Sequence, residues 1–102
     1  MYISVVTWTL RPGKTYEDFV RAWQPDEGSS LPGTIHTGVS IGNKREVALV
    51  GLHDTDLSRE ELARILLDAS AREVERNRRI AEVAEQARPG AIFEVGETFE
   101  IG

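Results

Sequence analysis

One predicted strand, residues 46–53, limits the folds open to this chain more than any other feature. Its sequence runs Glu-Val-Ala-Leu-Val-Gly-Leu-His, so apolar side chains fall on both of its faces. Alternate residues of a strand point to opposite faces of a sheet, and a strand that is apolar on both faces is typical of a central, doubly covered position. The fold therefore requires a sheet whose two faces are both packed against other parts of the protein.

The segments before this strand predict a strand, a helix and another strand. Residues 2–10 are β-branched and aromatic, which suits a strand, and the Pro-Gly pair at Pro12 ends it. Thr15 can cap a short helix that ends at Pro25. The apolar stripe of this helix is Tyr16, Phe19, Val20 and Trp23. A second strand follows from about Thr34 to Ile41, and Gly42-Asn43 predicts a hairpin turn.

The segments after it predict a long helix and a last strand. Ser58 and Glu61 form a capping box for the helix, which Arg88-Pro89-Gly90 ends. Its apolar stripe is interrupted by Glu73, Arg76 and Asn77 and consists of Leu62, Ile65, Leu66, Ala69, Ile80, Val83, Ala84 and Ala87. The interruption indicates either a break near residues 70–73 or a polar spot on the inward face. The last strand is expected over residues 91–101, with Phe93, Val95, Phe99 and Ile101 on one face.

The order β-α-β-β-α-β predicts an α+β, ferredoxin-like fold formed by one domain over residues 1–102. In this fold a four-stranded antiparallel sheet carries its helices on one face. The other face is still apolar in the first and third strands and needs a cover of its own. A second copy of the sheet is the simplest cover, so we expect a homodimer that forms a dimeric α/β barrel.

Composition excludes several classes of function. The formal net charge is −5, which does not suit a protein that binds a nucleic-acid backbone. The longest apolar run is far too short for a membrane span, and the first residues do not resemble a signal peptide, so we expect a cytoplasmic protein with no membrane partner. With no cysteine and only two histidines, the sequence predicts no metal and no cofactor.

Three segments resemble antibiotic-biosynthesis-monooxygenase-like domains. Residues 5–14 with Phe19 are similar to the first strand of that family and the start of its first helix. Residues 32–35 (Pro-Gly-Thr-Ile) resemble the turn before its second strand, and residues 45–52 with Asp54 resemble its third strand. The resemblance implies a homodimer with a cavity between sheet and helices. The family includes cofactor-free oxygenases of aromatic polyketides and haem-degrading enzymes, but residues 57–88 lack the late-helix histidine of the latter.

Seven residues are candidates for a site. His36 is the predicted acid or base, because imidazole titrates near neutrality. An aromatic wall for a small aromatic ligand would come from Trp8, Tyr16 and Trp23, and the polar groups from Glu73, Arg76 and Asn77.

Five of these candidates also have a structural interpretation. His36 suits a hydrogen-bonded interface position, Trp23 suits plain core packing, and the three polar residues suit a solvated helix break. His53, at a strand end beside Asp54, is expected at the surface.

Two functions stay open: a cofactor-free, monooxygenase-like enzyme acting on a small aromatic or polyketide-like molecule, and a non-catalytic ligand-binding or stress-responsive structural module.

Overall fold

The computed structural model describes residues 1–24, 32–86 and 88–102, apart from the side chains of residues 66 and 68–72. In this part of the chain, no helix is both long enough and apolar enough to span a membrane. The elements, in chain order, are β1 (Tyr2–Leu10), α1 (Tyr16–Trp23), β2 (Thr34–Val39), β3 (Glu46–His53), α2 (Arg59–Arg72), α3 (Val74–Val83), β4 (Ala84–Gln86) and β5 (Ala91–Glu94).

The strands form one antiparallel sheet in the order β2-β3-β1-β4, and β5 also pairs with β1. The short strands β4 and β5 share one edge of β1, with β4 beside Trp8–Leu10 and β5 beside Tyr2–Val5. Together they take the place of the single last strand that the sequence predicts. The architecture confirms the predicted α+β, ferredoxin-like fold.

The start of α1 shows how local sequence sets an element boundary. After β1, Gly13 adopts a φ of +81°, a left-handed conformation that favours glycine. The Thr15 hydroxyl then accepts a hydrogen bond from the Asp18 backbone N–H, and the Asp18 carboxylate accepts one from the Thr15 N–H. The Thr15 backbone N–H, followed by the Arg21 guanidinium, holds the pKa of Asp18 below its ordinary value.

Removing this cap tests the boundary. We expect Thr15→Ala to lower the free energy of unfolding by about 1 kcal/mol, because the N–H of Asp18 loses its acceptor at the helix start. Urea unfolding followed by circular dichroism measures the change. The control is Lys14→Ala at the neighbouring exposed position, which is expected to have little effect; equal losses for both variants would contradict the cap.

The predicted long helix differs from the structure in two ways. It is broken at Glu73 into α2 and α3, as one of the two interpretations required. The prediction that it continues to Ala87 is wrong, because α3 ends at Val83 and the next residues pair with β1 instead. The Val83 carbonyl accepts a hydrogen bond of 2.9 Å from the Arg11 N–H, which starts this pairing. The predicted helix end at Pro25, the side chains of Leu66 and Ala69, and Ala87 lie outside the described residues.

The last strand is shorter than predicted. It was expected to reach residue 101, but β5 ends at Glu94. One further backbone hydrogen bond joins the Val95 N–H to the Met1 carbonyl at 2.9 Å. Val95 is opposite Met1 in this antiparallel register. The residues after Val95 therefore extend beyond the start of the chain and have no residue of β1 opposite them.

The two sides of the sheet have different surroundings. On the helix-facing side, Trp8, Leu10, Val47 and Leu49 pack in one core with residues of α1 and α3. The alternation of the strands puts the remaining residues on the opposite side, here called the open face. Those residues include Ile3, Val5, Thr7, Thr9, Thr34, His36, Gly38, Ala48, Val50, Leu52, Ala91 and Phe93, and they are half-buried or exposed.

Candidate functional site

The predicted aromatic wall lies on the helix-facing side, at the end of the sheet where β1 finishes. Trp8 is buried, and its ring lies 4.9 Å from that of the fully buried Phe19, centroid to centroid. The Tyr16 hydroxyl is hydrogen-bonded to the Thr37 hydroxyl at 2.6 Å. Trp23 is half-buried at the margin of this core. The aromatic residues therefore fill the space between sheet and helices at this end.

Of the three polar candidates on the late helix, one points inward. Arg76 is only 5% exposed, and its guanidinium carbon lies 5.1 Å from the centre of the Trp23 ring, within range of a cation–π interaction. Its Nη1 donates to the Glu73 carboxylate at 2.8 Å, and Glu73 is half-buried. Asn77 is exposed. The structure thus brings Trp23, Glu73 and Arg76 together and leaves Asn77 at the surface.

His36 lies apart from these residues. In the register of β2 with β3, His36 is opposite Val50, so its side chain is on the open face, and it is exposed. The neighbouring residue Thr37 is on the helix-facing side, where it meets Tyr16. Between His36 and the predicted aromatic wall stands the sheet itself, so they do not form one site within a single chain.

The other histidine corrects an expectation. His53 was expected at the surface, but it is only 4% exposed and lies on the helix-facing side. Its Nδ1 is 3.2 Å from the Pro32 carbonyl oxygen, and its Nε2 is 3.2 Å from the Ser4 hydroxyl. A carbonyl oxygen only accepts, so Nδ1 donates to Pro32. In the neutral ring, Nε2 is then the acceptor for the Ser4 hydroxyl proton.

Two glycines allow the chain to close around this imidazole. A Cβ at Gly51 would overlap Ser4 Oγ and would stand 2.7 Å from His53 Nε2. A Cβ at Gly33 would collide with His53 Nδ1 and the Leu52 carbonyl. The imidazole is therefore held tightly, with its tautomer fixed by a backbone carbonyl. The alternation of side chains along β3 predicts the orientation of His53, because His53 and the buried Val47 are an even number of residues apart. It does not predict that residues 32–33 cover the imidazole.

The histidine and the aromatic core lie at opposite ends of the same side. His53 pairs with Tyr2 and Val47 pairs with Trp8, so six residues, about 20 Å of strand, separate the two ends. At the histidine end, the Tyr2 hydroxyl donates to the Leu57 carbonyl at 2.9 Å and so ties the segment before α2 to the sheet. The helix-facing side thus has one closely packed aromatic end and one end with a buried histidine.

The described residues contain no group of three or more histidine, aspartate or glutamate side chains that could hold a metal ion. On α3, a hydrogen bond from Arg78 lowers the pKa of the exposed Glu75. His53 is picked out by its burial and its hydrogen bonds.

No protein-family model matches the chain, and no curated protein matches it in sequence. Two crystal structures share its fold, both of proteins named as a putative antibiotic biosynthesis monooxygenase. The one from Chloroflexus aurantiacus J-10-fl has a TM-score of 0.59 at 13% identity, over 99% of this chain and 98% of that one. The one from Deinococcus radiodurans has a TM-score of 0.57 at 14% identity, over 100% and 99%. These identities show a common fold and no more.

Proposed function

We propose that the chain is a cytoplasmic, homodimeric, cofactor-free oxygenase that acts on a small aromatic or polyketide-like molecule, with His53 as its proton acceptor. The observation that carries the proposal is the buried imidazole, whose Nδ1–H donates to the Pro32 carbonyl and whose Nε2 faces the Ser4 hydroxyl. A neutral imidazole fixed in one tautomer is suited to take up a proton. The fold shared with the two proteins named as putative monooxygenases supports the same class of reaction.

The chemistry of such a reaction needs a base and little else from the protein. An acidic CH2 group of the substrate, next to an aromatic ketone, loses one proton to His53 through the Ser4 hydroxyl. The carbanion forms a C–O bond with molecular oxygen and becomes a peroxide anion, which takes the proton back from the imidazole. Loss of water from the hydroperoxide breaks the O–O bond and leaves a ketone. One oxygen atom enters the product, and the other leaves as water.

In this proposal His53 has the acid–base role that the sequence analysis assigns to His36. His36 is exposed on the open face, so within one chain it does not reach the helix-facing side. Arg76, buried against Trp23 of α1, belongs to the aromatic end and joins α3 to α1. The cavity that the resemblance implies lies between sheet and helices, and His53 is on that side of the sheet.

The two histidines provide a matched experiment. Oxygen uptake and product absorbance are followed with a panel of anthrone-like ketones and polyketide-like phenols. We expect His53→Gln to lower turnover at least about 100-fold, the usual contribution of a general base, whereas His36→Gln stays close to the starting protein. Thermal unfolding of both variants checks that they fold. Loss of turnover in His36→Gln with retention in His53→Gln would contradict the assignment.

A second candidate function is a non-catalytic binding or structural module. The close packing of Trp8 and Phe19 favours it, because that end of the domain is filled by its own side chains. Thermal shift and tryptophan quenching with the same panel separate the two candidates. Binding without oxygen uptake supports the module, and oxygen uptake supports the enzyme.

The homodimer in this proposal rests on the open face. Ile3, Val5 and Val50 lie together on it, with Leu52 and Phe93 exposed beside them. Large apolar patches of this kind mark interaction sites, and a symmetric dimer covers the same patch on both copies. We propose that two open faces pack against each other.

A further inference from the structure

Ser4 and His53 have the geometry of a nucleophile and its general base. The Ser4 hydroxyl oxygen lies 3.2 Å from Nε2 of the imidazole, and Nδ1 donates to the Pro32 carbonyl oxygen at 3.2 Å. With the proton on Nδ1, the lone pair of the neutral ring is on Nε2 and faces the hydroxyl. A hydroxyl, a base within hydrogen-bond reach of it and a third group that orients the base form the arrangement that activates a serine.

We propose that Ser4 is a nucleophile that cleaves aryl esters through an acyl-enzyme, with His53 as its base. This activity goes beyond the proposed oxygenase because it needs no oxygen, although it uses the same two side chains. The Pro32 carbonyl stands where serine hydrolases commonly have a carboxylate. A carbonyl fixes the tautomer but adds no negative charge, so the expected turnover is modest and the substrates are esters with a good leaving group.

A glycine lets the hydroxyl and the imidazole meet. The register of β1 with β3 places Ser4 directly opposite Gly51, two residues before His53. A Cβ at Gly51 would overlap Ser4 Oγ and would stand 2.7 Å from His53 Nε2. Any side chain at this position would push the nucleophile and its base apart. Gly51 is therefore a positioning residue for the pair.

The surroundings of the hydroxyl indicate the class of ester. Ser4 is half-buried, Val6 follows it on the same side of β1, and the half-buried Ile92 of β5 is opposite it. Ile35, opposite Gly51 on β2, is 37% exposed on the same side. A charged group would lose its hydration against these apolar side chains. The surface therefore suits an uncharged ester with an aromatic leaving group and a short acyl chain.

The proposed reaction consumes one water for each ester. The Ser4 oxygen forms a bond to the ester carbonyl carbon, and its proton moves to Nε2 of His53. Collapse of the tetrahedral intermediate breaks the bond to the aryl oxygen, which leaves as a phenol with the proton from Nε2. Water then attacks the acyl group on Ser4 and gives a proton to Nε2. The second collapse releases the carboxylic acid and returns that proton to the Ser4 oxygen.

Two anaerobic assays of the whole chain test the proposal. Absorbance follows the release of nitrophenol from p-nitrophenyl acetate. A fluorophosphonate probe attaches covalently to an activated serine, and mass spectrometry of the peptides identifies the residue that carries it. The variants are Ser4→Ala, His53→Gln and Gly51→Ala, and the control is Ser58→Ala, which removes an exposed hydroxyl just before α2. Thermal unfolding shows which variants keep the fold.

We expect the probe on Ser4 of the starting protein. Hydrolysis should be at least about 100-fold slower in His53→Gln and in Gly51→Ala, because the serine has then lost its base or its distance from that base. Ser4→Ala should carry no probe, and Ser58→Ala should label and hydrolyse as the starting protein does.

A probe found on another residue, or on none, overturns the inference without the need for any variant. So does a folded Ser4→Ala that hydrolyses the ester at the starting rate, since the imidazole would then be the nucleophile. Labelling of Ser4 and ester hydrolysis, without oxygen uptake on the ketone panel, support the inference and overturn the oxygenase. Oxygen uptake that depends on His53, without labelling of Ser4, supports the oxygenase and overturns the inference.

Discussion

Replacing Phe19 by Ala is expected to lower the free energy of unfolding by about 3–5 kcal/mol. Phe19 is fully buried, and its ring packs 4.9 Å from the Trp8 ring in a core that also holds Leu10 and Val47. The truncation leaves a cavity between α1 and β1 that these residues cannot easily close. Urea unfolding at one fixed protein concentration measures the loss.

Trp23→Ala in the same helix is the comparison for this prediction. Trp23 is half-buried at the edge of the core, so we expect a smaller loss of about 1–2 kcal/mol, in proportion to the apolar area that it buries. A larger loss at Trp23 than at Phe19 would mean that the centre of the core lies nearer to Arg76. An unchanged midpoint for Phe19→Ala would show that the helix-facing side is not packed as the structure has it.

Two elements that sequence alone predicts correctly have a clear local signal at one boundary. β1 and α1 are bounded by the Pro12-Gly13 turn and by the Thr15 cap, and both begin where the sequence places them. Leu62 is predicted on the inward stripe of α2, and the structure buries it. These signals act within a few residues of each other and do not depend on tertiary contacts.

The elements that sequence alone misses are set by distant backbone. Ala84, Glu85 and Gln86 favour a helix, but they form β4 because the edge of β1 supplies hydrogen bonds to them. β5 stops at Glu94 because β1 starts at Tyr2. Neither cause is visible in the local sequence, since each partner lies more than 70 residues away.

The placement of the two histidines also depends on distant parts of the chain that local sequence does not reveal. The alternation of β2 correctly separates His36 from Ile35 and Val39, but it does not say which of the two faces carries the helices. His53 was assigned to the surface because it ends a strand beside a charged residue. What buries it is the carbonyl of Pro32 and the closeness of Gly33, which come from a part of the chain some 20 residues earlier.

The second large effect is expected at the open face. In Val50→Asp, the carboxylate would have to be buried between two sheets, where an unpaired charge costs about 3 kcal/mol or more. Because about 1.4 kcal/mol corresponds to a tenfold change in affinity, the dimer Kd should rise at least about 100-fold. Light scattering at micromolar concentration should then give a mass near that of one chain, 11.4 kDa, and near twice that value for the starting protein.

The matched control for Val50→Asp is Val74→Asp, which adds the same charge at an exposed position on α3. Val74 is not on the sheet, so this variant should remain a dimer and should unfold at nearly the same temperature. Val50 is half-buried within one chain, so circular dichroism must show that Val50→Asp keeps its fold when it dissociates. A folded Val50→Asp that stays dimeric would contradict the packing of open face on open face, because a buried and uncompensated pair of carboxylates could not be tolerated there.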